Sequence, residues 1–87
     1  MKLNENMIRI LDMLQGSSPE KPMSIQAKFP FADPVTGEST QNYIDARELE
    51  NNGLIKSSRF SVLWITDTGH KAREGYRSTN EAVQTPN

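Results

Sequence analysis

Gly53-Leu54-Ile55-Lys56-Ser57-Ser58-Arg59-Phe60-Ser61-Val62-Leu63-Trp64-Ile65-Thr66 is the stretch that decides how this chain folds. Leu54–Lys56 and Phe60–Ile65 are rich in β-branched and aromatic residues. The polar run Ser57-Ser58-Arg59 between them supplies a turn, so the whole reads as a β-hairpin. Gly53, following Asn52, offers the left-handed residue that lets a preceding helix reverse into a strand. On the far side, Thr66 or Asp67 can cap a short last helix, roughly Thr68 to Gly75.

Upstream of Gly53, Glu38 to Asn52 reads as a long helix started by Ser39 or Thr40. Tyr43, Ala46 and Leu49 share one stripe at helical spacing, with Asp45 and Glu50 flanking it. Thr40, Gln41, Arg47 and Asn51 lie on the opposite side, with Ile44 among them. An apolar residue there either packs under a neighbouring element or is exposed for a reason. Further upstream, Pro30, Pro34 and Gly37 mark a loop. Met23 to Phe29 alternates apolar and polar residues, which predicts a half-buried strand, with a short helix as the rival over so few residues.

The prolines of Ser17–Pro22 make that segment a connector. In front of it, Leu3, Met7, Ile10, Leu11 and Leu14 predict a helix with Asn4 as N-cap and Gly16 just past its end. Met7, Met13 and Met23 read as core filler. Residues 78–87 are polar and aperiodic, a flexible tail behind a single domain of residues 1–77.

At 87 residues and 9.8 kDa the chain holds one small core. Hydrophobic residues are 34% and charged residues 24% of the chain, too ordinary a balance for a disordered protein. The net charge of -1 excludes a histone-like or polybasic protein. The distribution is less even than the total. Residues 38–52 carry one basic and four acidic side chains, whereas residues 53–77 carry five basic and two acidic ones. The absence of cysteine excludes disulfide frameworks and thiolate chemistry. No apolar run approaches a membrane span and Met1 to Gly16 has no signal-peptide core, so the expectation is a cytoplasmic protein with no membrane contact.

Leu49-x-x-x-Gly53-Leu54-Ile55, followed at hairpin distance by Ile65-Thr66-x-x-Gly69, resembles the winged-helix domains of MarR- and PadR-type regulators and of small winged-helix proteins encoded by phages and prophages. The likeness spans about Tyr43 to Arg73. It implies an α+β fold, a small winged helix of two to four helices with a β-hairpin wing. It further implies a sequence-specific DNA-binding regulator of transcription, acting as a homodimer on double-stranded DNA. Helix 38–52 would be its recognition helix, with Gln41, Arg47 and Asn51 facing bases and Thr40 a phosphate. Lys56 and Arg59 on the wing (54–66), with Lys71 and Arg73, would contact the backbone. One departure stands out: these families place a helix just before the recognition helix, where this chain has Met23 to Phe29 and a proline-containing loop.

The polar residues of helix 38–52 also suit a plain solvated face, and its net charge of -3 opposes phosphate binding. If Leu63 and Ile65 point inward, as the resemblance implies, alternation turns Phe60, Val62 and Trp64 outward. Either the register is reversed, or that stripe is covered by the first helix or the tail, forms a dimer seam, or meets a protein partner. A winged helix reused as a protein-interaction module, an adaptor or a phage-encoded antagonist of a host protein, is therefore the alternative function. Catalysis finds no footing. His70 shares helical spacing with Asp67 and Glu74, but these read as a cap and a solvated charge, and no nucleophile–base pair or phosphate loop exists. No metal or cofactor is expected.

Overall fold

The computed structural model describes residues 1–59 and 62–84, with side chains in the last helix through Ser78. Among the described residues, three helices and a three-stranded antiparallel sheet make a small α+β fold. The order is α1 (Glu5–Met13), β1 (Met23–Ser24), α2 (Gln41–Asn51), β2 (Ile55–Ser57), β3 (Val62–Ile65) and α3 (Asp67–Gln84).

Helix α1 starts where Asn4 stops the extended chain: its Oδ1 accepts the backbone N–H of Met7 at 2.8 Å. Met7, Ile8, Ile10, Leu11 and Leu14 are all buried, a wider arc than the expected stripe because both α2 and α3 pack against this helix. Each fully buried aliphatic side chain contributes about 1.5–3 kcal/mol relative to exposure, so α1 is the main source of core. At its end the buried Ser17 hydroxyl donates to the Leu14 carbonyl and accepts the backbone N–H of Ile65 at 2.9 Å, fastening the connector to the sheet.

The hairpin forms as expected, with Ile55, Lys56 and Ser57 opposite Ile65, Trp64 and Leu63. The sheet order is β1-β3-β2, because Met23 and Ser24 pair with Leu63 and Val62 on the other edge of β3. The expected seven-residue strand stops there. The carbonyl of Ile25 accepts the N–H groups of both Lys28 (3.0 Å) and Phe29 (2.8 Å), so a hydrogen-bonded turn follows two residues of strand. The strand reading holds for Met23 and Ser24 alone, and the rival helix does not form. Ile25 and Phe29, four residues apart, are buried, while Ala27 is exposed.

Residues 30–40 close on themselves as a hairpin-like loop. Ala32 bridges Ser39, Asp33 N–H donates to Glu38 O, and Gly37 N–H donates to Asp33 O, both at 2.8 Å. The Asp33 carboxylate also accepts from the N–H groups of Val35 (2.7 Å) and Thr36 (3.1 Å). Among the described residues no helix lies between Ser24 and Gln41.

Helix α2 begins three residues later than expected. Thr40, not Ser39, is its cap, with the hydroxyl oxygen 3.4 Å from Tyr43 N. It ends at Asn52, and Gly53 (φ +78) turns the chain so that Leu54 N–H donates to Leu49 O at 2.9 Å. Thr66 then ties hairpin, α2 exit and α3 together. Its hydroxyl lies 2.6 Å from Gly53 O and 3.0 Å from Leu54 O, and accepts from Gly69 N–H at 3.1 Å.

The last helix runs well past Gly75. Residues 78–84, expected as an aperiodic tail, continue α3 to Gln84. The sequence holds no proline there to stop the helix, and α1 grips it beyond Gly75: Asp12 binds both Arg73 and Arg77, and Tyr76 donates to Glu5 at 3.2 Å. No helix among the described residues is long and apolar enough to cross a membrane.

Candidate functional site

Helix α2 lies against β2, and between α2 and the hairpin opens a cleft of about 220 Å³. Arg47, Glu50, Ser57 and Ser58 supply its polar lining, and Phe31, Tyr43, Ala46 and Leu63 the apolar part. The local sequence accounts for this meeting. The one-residue reversal at Gly53 folds β2 back along α2, and alternation then turns Ile55 into the core and Ser57 toward the helix. There the Ser57 hydroxyl donates to the Glu50 carboxylate at 2.5 Å.

Arg47 is held in place on this cleft. Its guanidinium carbon lies 5.9 Å from the centroid of the Tyr43 ring, one turn earlier, and Nη1 donates to the Tyr43 hydroxyl at 3.4 Å. Phe31 in turn packs edge-on against Tyr43, with ring centroids 5.9 Å apart. The loop preceding α2 therefore positions the arginine through two aromatic rings. The i, i+4 spacing of Tyr43 and Arg47 was present in the sequence, but the part of Phe31 was not.

The other side of α2 is occupied by a polar junction. Asp45 is only 2% exposed and belongs to the buried stripe with Ala46 and Leu49, rather than flanking it as the sequence suggested. Its carboxylate accepts from Asn6 Nδ2 (2.8 Å), Gln41 Nε2 (2.9 Å) and Asn4 Nδ2 (3.4 Å). Three neutral amides thus satisfy a buried carboxylate and join the start of α1 to α2.

These contacts sort the residues singled out from the sequence. Gln41 spends its amide on Asp45. The Thr40 hydroxyl caps α2 and donates to Pro30 O at 2.5 Å, and Arg73 is bound to Asp12 at the α1–α3 contact. Arg47, Asn51, Lys56, Arg59 and Lys71 are exposed. Arg47 lines the cleft with Ser58, and Arg59 follows at the hairpin tip. Lys56, by alternation from Ser57, projects from the opposite face of the sheet, where it pairs with Trp64. Val62 and Trp64 share that face and are half-buried, while Leu63 (4% exposed) and Ile65 (5%) lie in the core; Phe60 falls outside the described residues. Ile44 is 53% exposed, in the middle of the solvent face of α2.

Asp33, at the tip of the loop preceding α2, has its pKa lowered. The backbone N–H of Thr36, and then that of Val35, stabilise its charged form. Comparison with known proteins finds no matching family model, no matching curated protein and no matching solved structure.

Proposed function

We propose that this chain is a winged-helix DNA-binding protein that lays the exposed face of α2 in the major groove and sets the hairpin tip on the flanking backbone. The observation that carries this reading is the cleft in which Arg47 of α2 and Ser57–Ser58 of the hairpin meet, with Arg59 the next residue. A helix and a β-ribbon that converge with exposed arginines suit a duplex, whose phosphates lie beside the groove edges being read. The wiring supports it as well: the strand after α1 pairs with the second hairpin strand, giving the order β1-β3-β2 around a helix that feeds the hairpin. On this reading the exposed Arg47 and Asn51 face bases and Arg59 a phosphate. Gln41, Thr40 and Arg73 serve the fold instead. A second protomer would supply the affinity that so few cations lack, since paired half-sites multiply binding.

The test is retardation of a nonspecific duplex at low salt by the full chain. Binding should weaken steeply as salt rises, and Arg59→Ala should weaken it further and flatten the salt slope by about one unit of log K per log salt. Failure to bind any duplex at low salt would refute the proposal. A protein-interaction role would then take its place.

A further inference from the structure

Ile44 is the one large apolar side chain on the solvent face of α2, and nothing in the fold requires it there. It is 53% exposed and takes no part in the core cluster. As a β-branched residue it serves an exposed helix position less well than Ala, Lys or Leu would. On the helical projection Gln41, Arg47, Glu48 and Asn51 surround it, all of them exposed and polar. A single apolar side chain ringed by polar ones is too small a patch for a protein interface, which needs a contiguous apolar centre. It does match the one apolar group on the base edges of the major groove, the C5-methyl of thymine.

We infer that Ile44 is a specificity residue that packs on a thymine methyl group, an inference that rests on the DNA-binding reading of α2. Its neighbours fix the context. Arg47 and Asn51 lie beside it on the same exposed face of the helix. Asn is suited to adenine and Arg to guanine, so the preferred site combines a thymine with a nearby guanine and a nearby adenine.

The experiment enriches duplexes from a random-sequence library on the full-length chain at low salt. Each thymine of the winning sequence is then replaced in turn by deoxyuridine, which lacks only the methyl group. Loss of that contact should weaken the wild-type protein about fourfold at one position, the worth of one buried methyl. Ile44→Ala, which an exposed helix position accepts without unfolding, should bind the thymine and deoxyuridine duplexes equally at that position. If duplexes are enriched but no thymine is sensitive, or if Ile44→Ala keeps the same sensitivity, Ile44 does not read thymine, while DNA binding itself stands. If no duplex is enriched at all, the DNA-binding reading falls and takes this inference with it.

Discussion

Asp45 and Asp33 show how two carboxylates on neighbouring segments are put to different uses. Asp45 is buried and held by the amides of Asn4, Asn6 and Gln41, so removing it breaks all three hydrogen bonds and leaves a small cavity at the α1–α2 contact. Asp45→Ala should therefore lower stability by about 2 kcal/mol in urea denaturation, and Gln41→Ala by about half that. A Gln41→Ala protein of unchanged stability would return that side chain to the candidate base readers. Asp33 is fully exposed and shapes the loop through the N–H groups of Val35 and Thr36. Because its folded pKa lies below its unfolded value, its contribution is fully present above the ordinary aspartate pKa. That contribution is lost as pH falls through the lower folded value. Amide NMR of Val35 and Thr36 should show the loop loosening only in that acid window, with Asp33→Asn largely abolishing the transition; unchanged acid behaviour in Asp33→Asn would contradict this account.

The contact between hairpin and α3 depends on Gly69. A Cβ at this position would stand 2.1 Å from the Leu54 carbonyl oxygen and 2.8 Å from Ile65 Cγ1, so the first turn of α3 presses directly on the start of the hairpin. Gly69→Ala should cost about 3 kcal/mol or more, since the opposing atom is backbone and cannot swing away. Gly75→Ala, in the same helix with nothing near its Cβ, should instead stabilise by about 0.5–1 kcal/mol. Thermal denaturation of the pair separates close packing from helix propensity. Thr66-x-x-Gly69 was legible as a motif because its spacing is local, and the hairpin was legible because its β-branched run and its turn are contiguous. Between Met23 and Thr40 only the start of the strand and the presence of a loop were legible. The order of this segment comes from a two-residue pairing with β3, a single Ile25 turn and the Asp33 loop, none of which has a repeating period. The length of α3 was missed for a related reason: what holds it beyond Gly75 is Asp12, more than sixty residues away in sequence.

Over the whole molecule, core and candidate surface lie on different faces of α2. Asp45, Ala46 and Leu49 turn inward to α1 and the sheet, while Ile44, Arg47 and Asn51 face solvent, with Arg47 lining the cleft beside Ser57 and Ser58. The outward face is legible in the sequence, but not which of its side chains are already engaged. Arg73 is committed through Asp12, far away in sequence, and Thr40 through Pro30 in the preceding loop, whereas Gln41 binds Asp45 one turn along its own helix. The charge pattern leaves a surface with few cations, and Glu48 on α2 works against phosphate, so any duplex contact should be weak per protomer and weaken by about one unit of log K per log salt for each phosphate engaged. Amide chemical-shift mapping of the full-length protein, titrated with a short duplex at low salt, tests this arrangement most directly. The largest shifts should fall on Ile44, Arg47, Asn51, Ser58 and Arg59 and vanish when salt is raised. Shifts confined to α1 and α3, or none at all, would contradict it.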